Sequence, residues 1–200
     1  IEFMLGFRHK RSFDAAGAEF IIGGQGAAYR SQVIRHVGGF QDNMQTEDIA
    51  LSLGVLSNSK SQHKLAFASN SLIFTEGVPT IRGLFRQRYR WKFGAMQAVI
   101  KHKQLIFARD GVHSKLLGWY RLPQVFVGEL LSFFEPFIIL LLIAASIYNS
   151  SIYPLLGSWI TFSLYLTTTI AIDEHTPPKQ RILLSALSPL LFPFFYLFSF

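Results

Sequence analysis

An α/β portion, an amphipathic interface helix and about three transmembrane helices make up the fold class that these 200 residues predict. Three observations carry it. Every Lys and Arg except Lys179 and Arg181 precedes Leu122, so a basic front is joined to an apolar back. In the front, short apolar runs alternate with segments of helical period, the mixture expected of α/β or α+β structure. The back holds three long apolar stretches, about 125–148, 152–172 and 182–200. Each approaches the ~20 residues that cross a hydrocarbon core. The expected division is 1–78 for the α/β portion, 79–121 for interface helices and 122–200 for the spans.

Residues 1–13 read as a helix with a basic end, and Phe20 to Gly24 as a buried strand end closed by glycines. Ile1-Glu2-Phe3-Met4 has neither capping nor linker character and reads as helix interior, so the sequence is expected to be a fragment. Ser31 is placed to cap a short helix through Val37, with Gly38-Gly39 ending it. Thr46 is a candidate N-cap for a helix with Ile49, Leu53 and Leu56 on one face. Leu65–Ala68 and Leu72–Thr75 read as short strands, and a long helix follows from about Pro79 to Lys101.

The basic residues orient the apolar stretches. Lys101, Lys103, Arg109, Lys115 and Arg121 precede the first, Asn149-Ser150-Ser151 between the first two is uncharged, and the next link carries Lys179 and Arg181. The positive-inside rule then puts the front and the second link in the cytosol, in a multi-pass protein of the plasma (inner) membrane. Trp119, Tyr120, Tyr148, Tyr153 and Trp159 fall where an interfacial aromatic belt is expected. The formal charge of +7 fits this cytosolic bias and attraction to anionic lipid. No zinc-finger, RNP or basic-zipper pattern points to nucleic acid. With no Cys there are no disulfides and no thiolate metal sites.

Thr46-Glu47-Asp48 puts two carboxylates in the first turn of a helix, where the dipole and free N–H groups favour the ionised form. An ionised carboxylate at the mouth of a cleft suits a general base that takes a proton from a hydroxyl. Ordinary capping chemistry accounts for the same three residues.

Gln87-Arg88-Tyr89-Arg90-Trp91 narrows the choice. At ~100° per residue, Gln87, Arg90 and Trp91 share one helix face with Gly83 and Gly94, and a broad apolar side lies opposite. Arg90 offers a planar fork for a diphosphate, Gln87 supplements it, and Trp91 offers a plane for a sugar ring. The glycines let a ligand or another backbone approach. A basic amphipathic lipid anchor explains the charge and the apolar side, but not the glycines.

The two motifs together resemble the TED and Q-x-x-R-W pair of the processive family 2 glycosyltransferases, which include cellulose, chitin, hyaluronan and poly-N-acetylglucosamine synthases. Gly24-Gln25-Gly26-Ala27-Ala28-Tyr29-Arg30 is similar to the family's segment that approaches the acceptor, and Val37-Gly38-Gly39-Phe40 and Phe74-Thr75-Glu76-Gly77-Val78-Pro79 also look similar in order and spacing. The resemblance runs from about Glu2 to Gly94. It implies the C-terminal part of an inverting GT-A domain, with Asp48 as base and Glu47 and Thr46 fixing the helix start. It gives Gln87 and Arg90 to the donor diphosphate, and Trp91, Gly24, Gln25 and Gly26 to the acceptor. The implied partners are a nucleotide-sugar donor (a UDP-sugar), a polysaccharide acceptor and the lipid bilayer.

The family's D-x-D metal site is absent, since the sequence has no Asp-x-Asp, and its six His lack metal-ligand spacing. A divalent metal (Mg or Mn) is therefore expected in the full-length enzyme with ligands outside these residues, and the 200 residues alone are expected to be inactive. Glu135, before Pro136 and near the middle of the first apolar stretch, either lines a saccharide path or stays protonated against a neighbouring helix. Glu129 lies nearer the cytosolic interface, where snorkelling accounts for it. Two other functions fit parts of this pattern: a non-processive relative that glycosylates a lipid acceptor, and a transporter or membrane scaffold with a basic cytosolic domain.

Overall fold

A computed structural model describes residues 2–58, 63–109, 113–132 and 134–198; the side chains of residues 2, 3, 129, 132, 135, 136 and 191–198 lie outside that description. Among the described residues the chain forms eight α-helices and no strand. They are α1 (Glu2–Ala15), α2 (Ser31–His36), α3 (Glu47–Ser57), α4 (Ile81–Lys101), α5 (Leu122–Ser132), α6 (Glu135–Tyr148), α7 (Tyr153–Ile172) and α8 (Pro178–Phe198). A 3-10 turn over Lys103–Leu105 and a π-helical turn over Leu117–Arg121 follow α4. The interface helices expected after Lys101 are these two turns. The helices fall into two units, one of residues 10–130 and one of residues 1–9 with 131–200.

In the first unit α3 is the centre. Ile49, Ala50, Leu51, Ser52, Leu53, Val55 and Leu56 are all buried, so this helix is enclosed on nearly every side, beyond the single face its apolar period predicts. Ala95, Ala98 and Val99 of α4 pack against it with Ala18, Phe20, Leu105, Leu117 and Leu122. The buried Glu19 turns its Oε1 to the backbone N–H groups of Phe20 and Ile21, and the Arg121 guanidinium lies over the rings of Phe13 and Phe20.

The strands expected at 20–24, 65–68 and 72–75 are irregular backbone. A strand exists only through a ladder with a neighbour, and these segments do not pair with one another. The N–H of Phe67 donates instead to the Asp14 carboxylate at 2.9 Å. Ser31 is the first residue of α2 and not its cap; Arg30 takes the capping position with no side-chain bond, and Gly39 N–H closes the far end on the Ile34 carbonyl.

In the second unit α7 packs against both α6 and α8. The expected span 125–148 is divided between α5 and α6. Pro136 has no N–H to donate back to Ser132, so the helix restarts with Pro in its first turn. Glu135 therefore opens α6 and does not sit in the middle of a continuous helix; its side chain, like that of Glu129, lies outside the described residues. Among the described residues α7 is the helix long and apolar enough to cross a membrane, and Phe137–Tyr148 is a shorter apolar stretch. One span of the expected three is thus matched in length and apolar character among the described residues.

Beyond Pro178 in its first turn, α8 holds Pro189 and Pro193, and the carbonyl that each leaves without its helical donor has another partner. Pro189 cannot donate to Ser185, and the Ser188 hydroxyl donates to that carbonyl at 2.9 Å, itself 2.7 Å from Thr167 Oγ1 on α7. Pro193 cannot donate to Pro189, and the indole N–H of Trp159 on α7 does so at 2.9 Å.

Candidate functional site

Thr46-Glu47-Asp48 begins α3 as the sequence predicts, with Thr46 at the capping position and both carboxylates in the first turn. The cap itself differs. The Thr46 side chain makes no capping hydrogen bond; it is buried, its Oγ1 has no hydrogen-bond partner, and it lies against α4. A Cβ on Gly94 would stand 2.5 Å from both Thr46 Cγ2 and Oγ1, closer than real Cβ contacts allow. Only a residue without a side chain lets α4 come this near.

Asp48 is held from two sides. Its Oδ2 accepts from the backbone N–H of Gly24 at 2.7 Å, and its Oδ1 accepts from that of Ile49 at 2.8 Å. Its backbone carbonyl accepts from the Ser52 hydroxyl at 2.8 Å, and Ser52 Oγ also accepts from Ile22 N–H at 3.4 Å. The segment 22–24 is thereby sewn to the first turns of α3. The carboxylate is partly exposed, oriented by backbone donors, and able to receive a proton from a hydroxyl brought to it. Glu47 beside it is exposed.

Gly24 therefore meets the Asp48 carboxylate itself. Gln25 is exposed at the tip of this loop, and Gly26 has φ +73°, with Ile73 filling the space that a Cβ would need. Gly26 is thus a structural contact of the loop with residue 73. Tyr29, which sequence reading did not single out, lies close by. Burial pushes its phenol above the ordinary value, the Ser52 hydroxyl draws it back, and the negative charge of Asp48 adds to the rise.

On α4, Gln87, Arg90 and Trp91 lie within about 60° of Gly94 around the helix axis, and about 4 to 11 Å along it. Gln87 is half-buried and Arg90 exposed. Trp91 is 41% exposed, with the Arg88 guanidinium 5.1 Å over its ring. Gly83 sits against Val78 and Thr80 at the helix's own N-cap, so both glycines on this face admit protein and not a ligand. The structure joins Gly24 to Asp48 and Thr46 to Gly94; Gln87, Arg90 and Trp91 are brought to the same helix pair without touching Asp48.

The polar face of α4 also runs further than the motif. Gln97 and Lys101 share it, and both reach the loop before Thr46. Continuing the spacing of Gln87, Arg90 and Gly94 by one and two turns would have found them, as the i, i+3 relation would have found Arg88 over Trp91. Among the described residues no three His, Asp or Glu side chains converge on a metal-ligand set.

A family model for glycosyl transferase family group 2 matches residues 4–199. The uncharacterized glycosyltransferase YaiP of Escherichia coli (strain K12) is 30% identical over 98 residues, which cover 49% of this chain and 24% of that protein. The chain thus spans about a quarter of the length of the curated relative it matches. No solved structure matches it. Both motifs lie on one packed helix pair, and the family match runs through nearly the whole chain: it belongs to glycosyl transferase family group 2.

Proposed function

We propose that the full-length protein is a membrane-embedded inverting glycosyltransferase that transfers a sugar from a nucleotide-sugar donor, a UDP-sugar, to a growing β-linked polysaccharide. Its catalytic part faces the cytosol at the plasma (inner) membrane, and synthesis is processive and coupled to export. The observation that carries this reading is the seat of Gly94 on Thr46, which joins the helix bearing Gln87, Arg90 and Trp91 to the start of the helix bearing Asp48.

In this reading the Asp48 carboxylate takes the proton of an acceptor hydroxyl. The acceptor oxygen attacks the anomeric carbon from the face opposite the leaving group, and the new glycosidic bond forms as the bond to the diphosphate breaks. The nucleoside diphosphate departs with its charge met by Arg90 and Gln87. Trp91 carries a sugar ring of the acceptor, and the loop of Gly24, Gln25 and Gly26 frames the approach to the base. A GT-A sheet in the full-length protein would supply the pairing partners that the segments 20–24, 65–68 and 72–75 do not find in one another. A divalent metal (Mg or Mn), with ligands outside these 200 residues, would supply positive charge to the diphosphate of the donor.

Membrane embedding is supported by the length and apolar character of α7 and by the repaired prolines of α8. It is supported also by the exposed stripe of Ile81, Phe85, Tyr89, Phe93 and Ile100 on α4, which suits a helix lying at a membrane surface. The test is Asp48→Asn in the full-length protein in its membrane, with sugar transfer and donor binding measured separately. Transfer is expected to fall by about 10² to 10⁴-fold with donor binding kept. Transfer near the wild-type rate would sink the assignment of the base.

A further inference from the structure

The loop that delivers Asp48 is fastened to α4 by side chains outside both motifs. Gln97 Oε1 accepts from the Gln45 N–H at 3.2 Å, and Gln97 Nε2 donates to the Asn43 carbonyl at 3.2 Å. One turn on, the Lys101 ammonium donates to Gln41 Oε1. Gly94, one turn before Gln97, is in contact with Thr46. Three successive turns of α4 thus grip residues 41–46 in register, the C-terminal turns gripping the earlier residues.

We infer that Gln97 is a positioning residue for the transfer reaction, setting the start of α3 and with it the place of Asp48; the inference rests on the proposed role of Asp48 as base. Asp48 lies three residues beyond Gln45, at the second position of α3, so a shift of the loop is passed to its backbone with little room for relief. The Gly24 N–H fixes the carboxylate from the other side. Thr46 makes no capping bond that would fix the helix start by itself. Gln97 closes this frame because a primary amide offers an acceptor and a donor on one planar group, as two backbone groups of opposite kind require. The amide also belongs to the helix that carries Gln87, Arg90 and Trp91, so one rigid element fixes both the residues proposed to hold the substrates and the residue proposed to deprotonate one of them.

The side chain can be altered in steps. Gln97→Met keeps length and loses both bonds. Gln97→Glu keeps an acceptor for Gln45 N–H and loses the donor to Asn43. Gln97→Asn keeps both functions one methylene short.

The experiment measures kcat, the donor KM and the amount of folded protein for these variants in the full-length protein. It adds Gln97→Met in the Asp48→Asn background. Gln97→Met is expected to lower kcat by about 10 to 100-fold with donor KM and folded yield unchanged, since a small displacement of a reacting group acts on the chemical step. Gln97→Glu is expected to fall between Met and wild type, and Gln97→Asn to fail to rescue. Gln97→Met is expected to add no further loss to Asp48→Asn, because it acts through Asp48. Wild-type kcat in Gln97→Met, a loss only in proportion to folded protein, a raised KM with unchanged kcat, or full additivity with Asp48→Asn would each overturn the inference. Retained transfer in Asp48→Asn alone is a different result, and it overturns the reading of the base.

Discussion

Gly94 on α4 lies directly against the side chain of Thr46, so near that a Cβ at position 94 would stand 2.5 Å from Thr46 Cγ2 and Oγ1. The contact holds the helices of the two sequence motifs to each other.

Gly94→Ala tests the contact by sign. In a helix interior Ala is better than Gly by about 1 kcal/mol. Overpacking against Thr46, which is buried, costs about 1–3 kcal/mol and outweighs that gain. Stability is expected to fall in the single variant, measured by thermal unfolding. Adding Thr46→Ala, which removes both atoms met first, is expected to recover part of the loss, a coupling that distant sites do not show.

Thr46→Val separates capping from packing. A Thr that caps a helix typically loses about 1 kcal/mol when its hydroxyl is removed. Here Oγ1 is buried with no partner, so replacing it by a methyl of similar shape relieves an unsatisfied group. Unfolding measurements are expected to give equal or higher stability. A clear loss would mean that the hydroxyl caps α3 after all.

The far ends of α3 and α4 supply a pH dependence. His102, at the C-cap of α4, has its Nδ1 3.0 Å from Ser57 Oγ at the end of α3, and its Nε2 is buried without a partner. Burial lowers its pKa, and the charge of Lys101 lowers it further. The unfolded chain, with His near 6.5, therefore binds the proton first as pH falls. Stability from this site is full above about pH 6.5 and is lost as pH falls below it toward the folded value. Glu19 works in the opposite direction, since burial raises its pKa, so the measurement is a difference between wild type and variant. The slope of melting temperature against pH between about 5 and 6.5 is expected to be steeper in wild type than in His102→Gln.

Much of the helical part of this fold is legible in the sequence because helices carry local signals. The starts of α3 and α4, the apolar positions Ile49, Leu53 and Leu56, and the limits of α7 follow from period, caps and an uncharged link. The expected strands did not follow, because a strand depends on a partner that local sequence does not name. Pro136 is visible in the sequence, but hydropathy does not register its consequence: hydropathy averages over a window, while one missing N–H breaks the helix at a point. In the candidate site, the residue types at 48, 87, 90 and 91 are readable from chemistry and spacing. The contacts of Gly24 with Asp48 and of Gln97 with residues 43 and 45 are long-range, and no local pattern states them.

The repaired prolines of α8 make α7 and α8 a hairpin whose members are not interchangeable with other apolar helices. An isolated α8 would keep its own remedy for the Ser185 carbonyl but would leave that of Pro189 bare, because the remedy is Trp159 on its neighbour. In an apolar surrounding a bare carbonyl costs several kcal/mol. A chain cut or swapped between the two helices would thus lose a partner that apolar surface cannot replace, whereas a graft of both together would carry its own completion. During synthesis the same dependence runs one way in time: α7 emerges first with its indole N–H waiting, and α8 is completed only on meeting it.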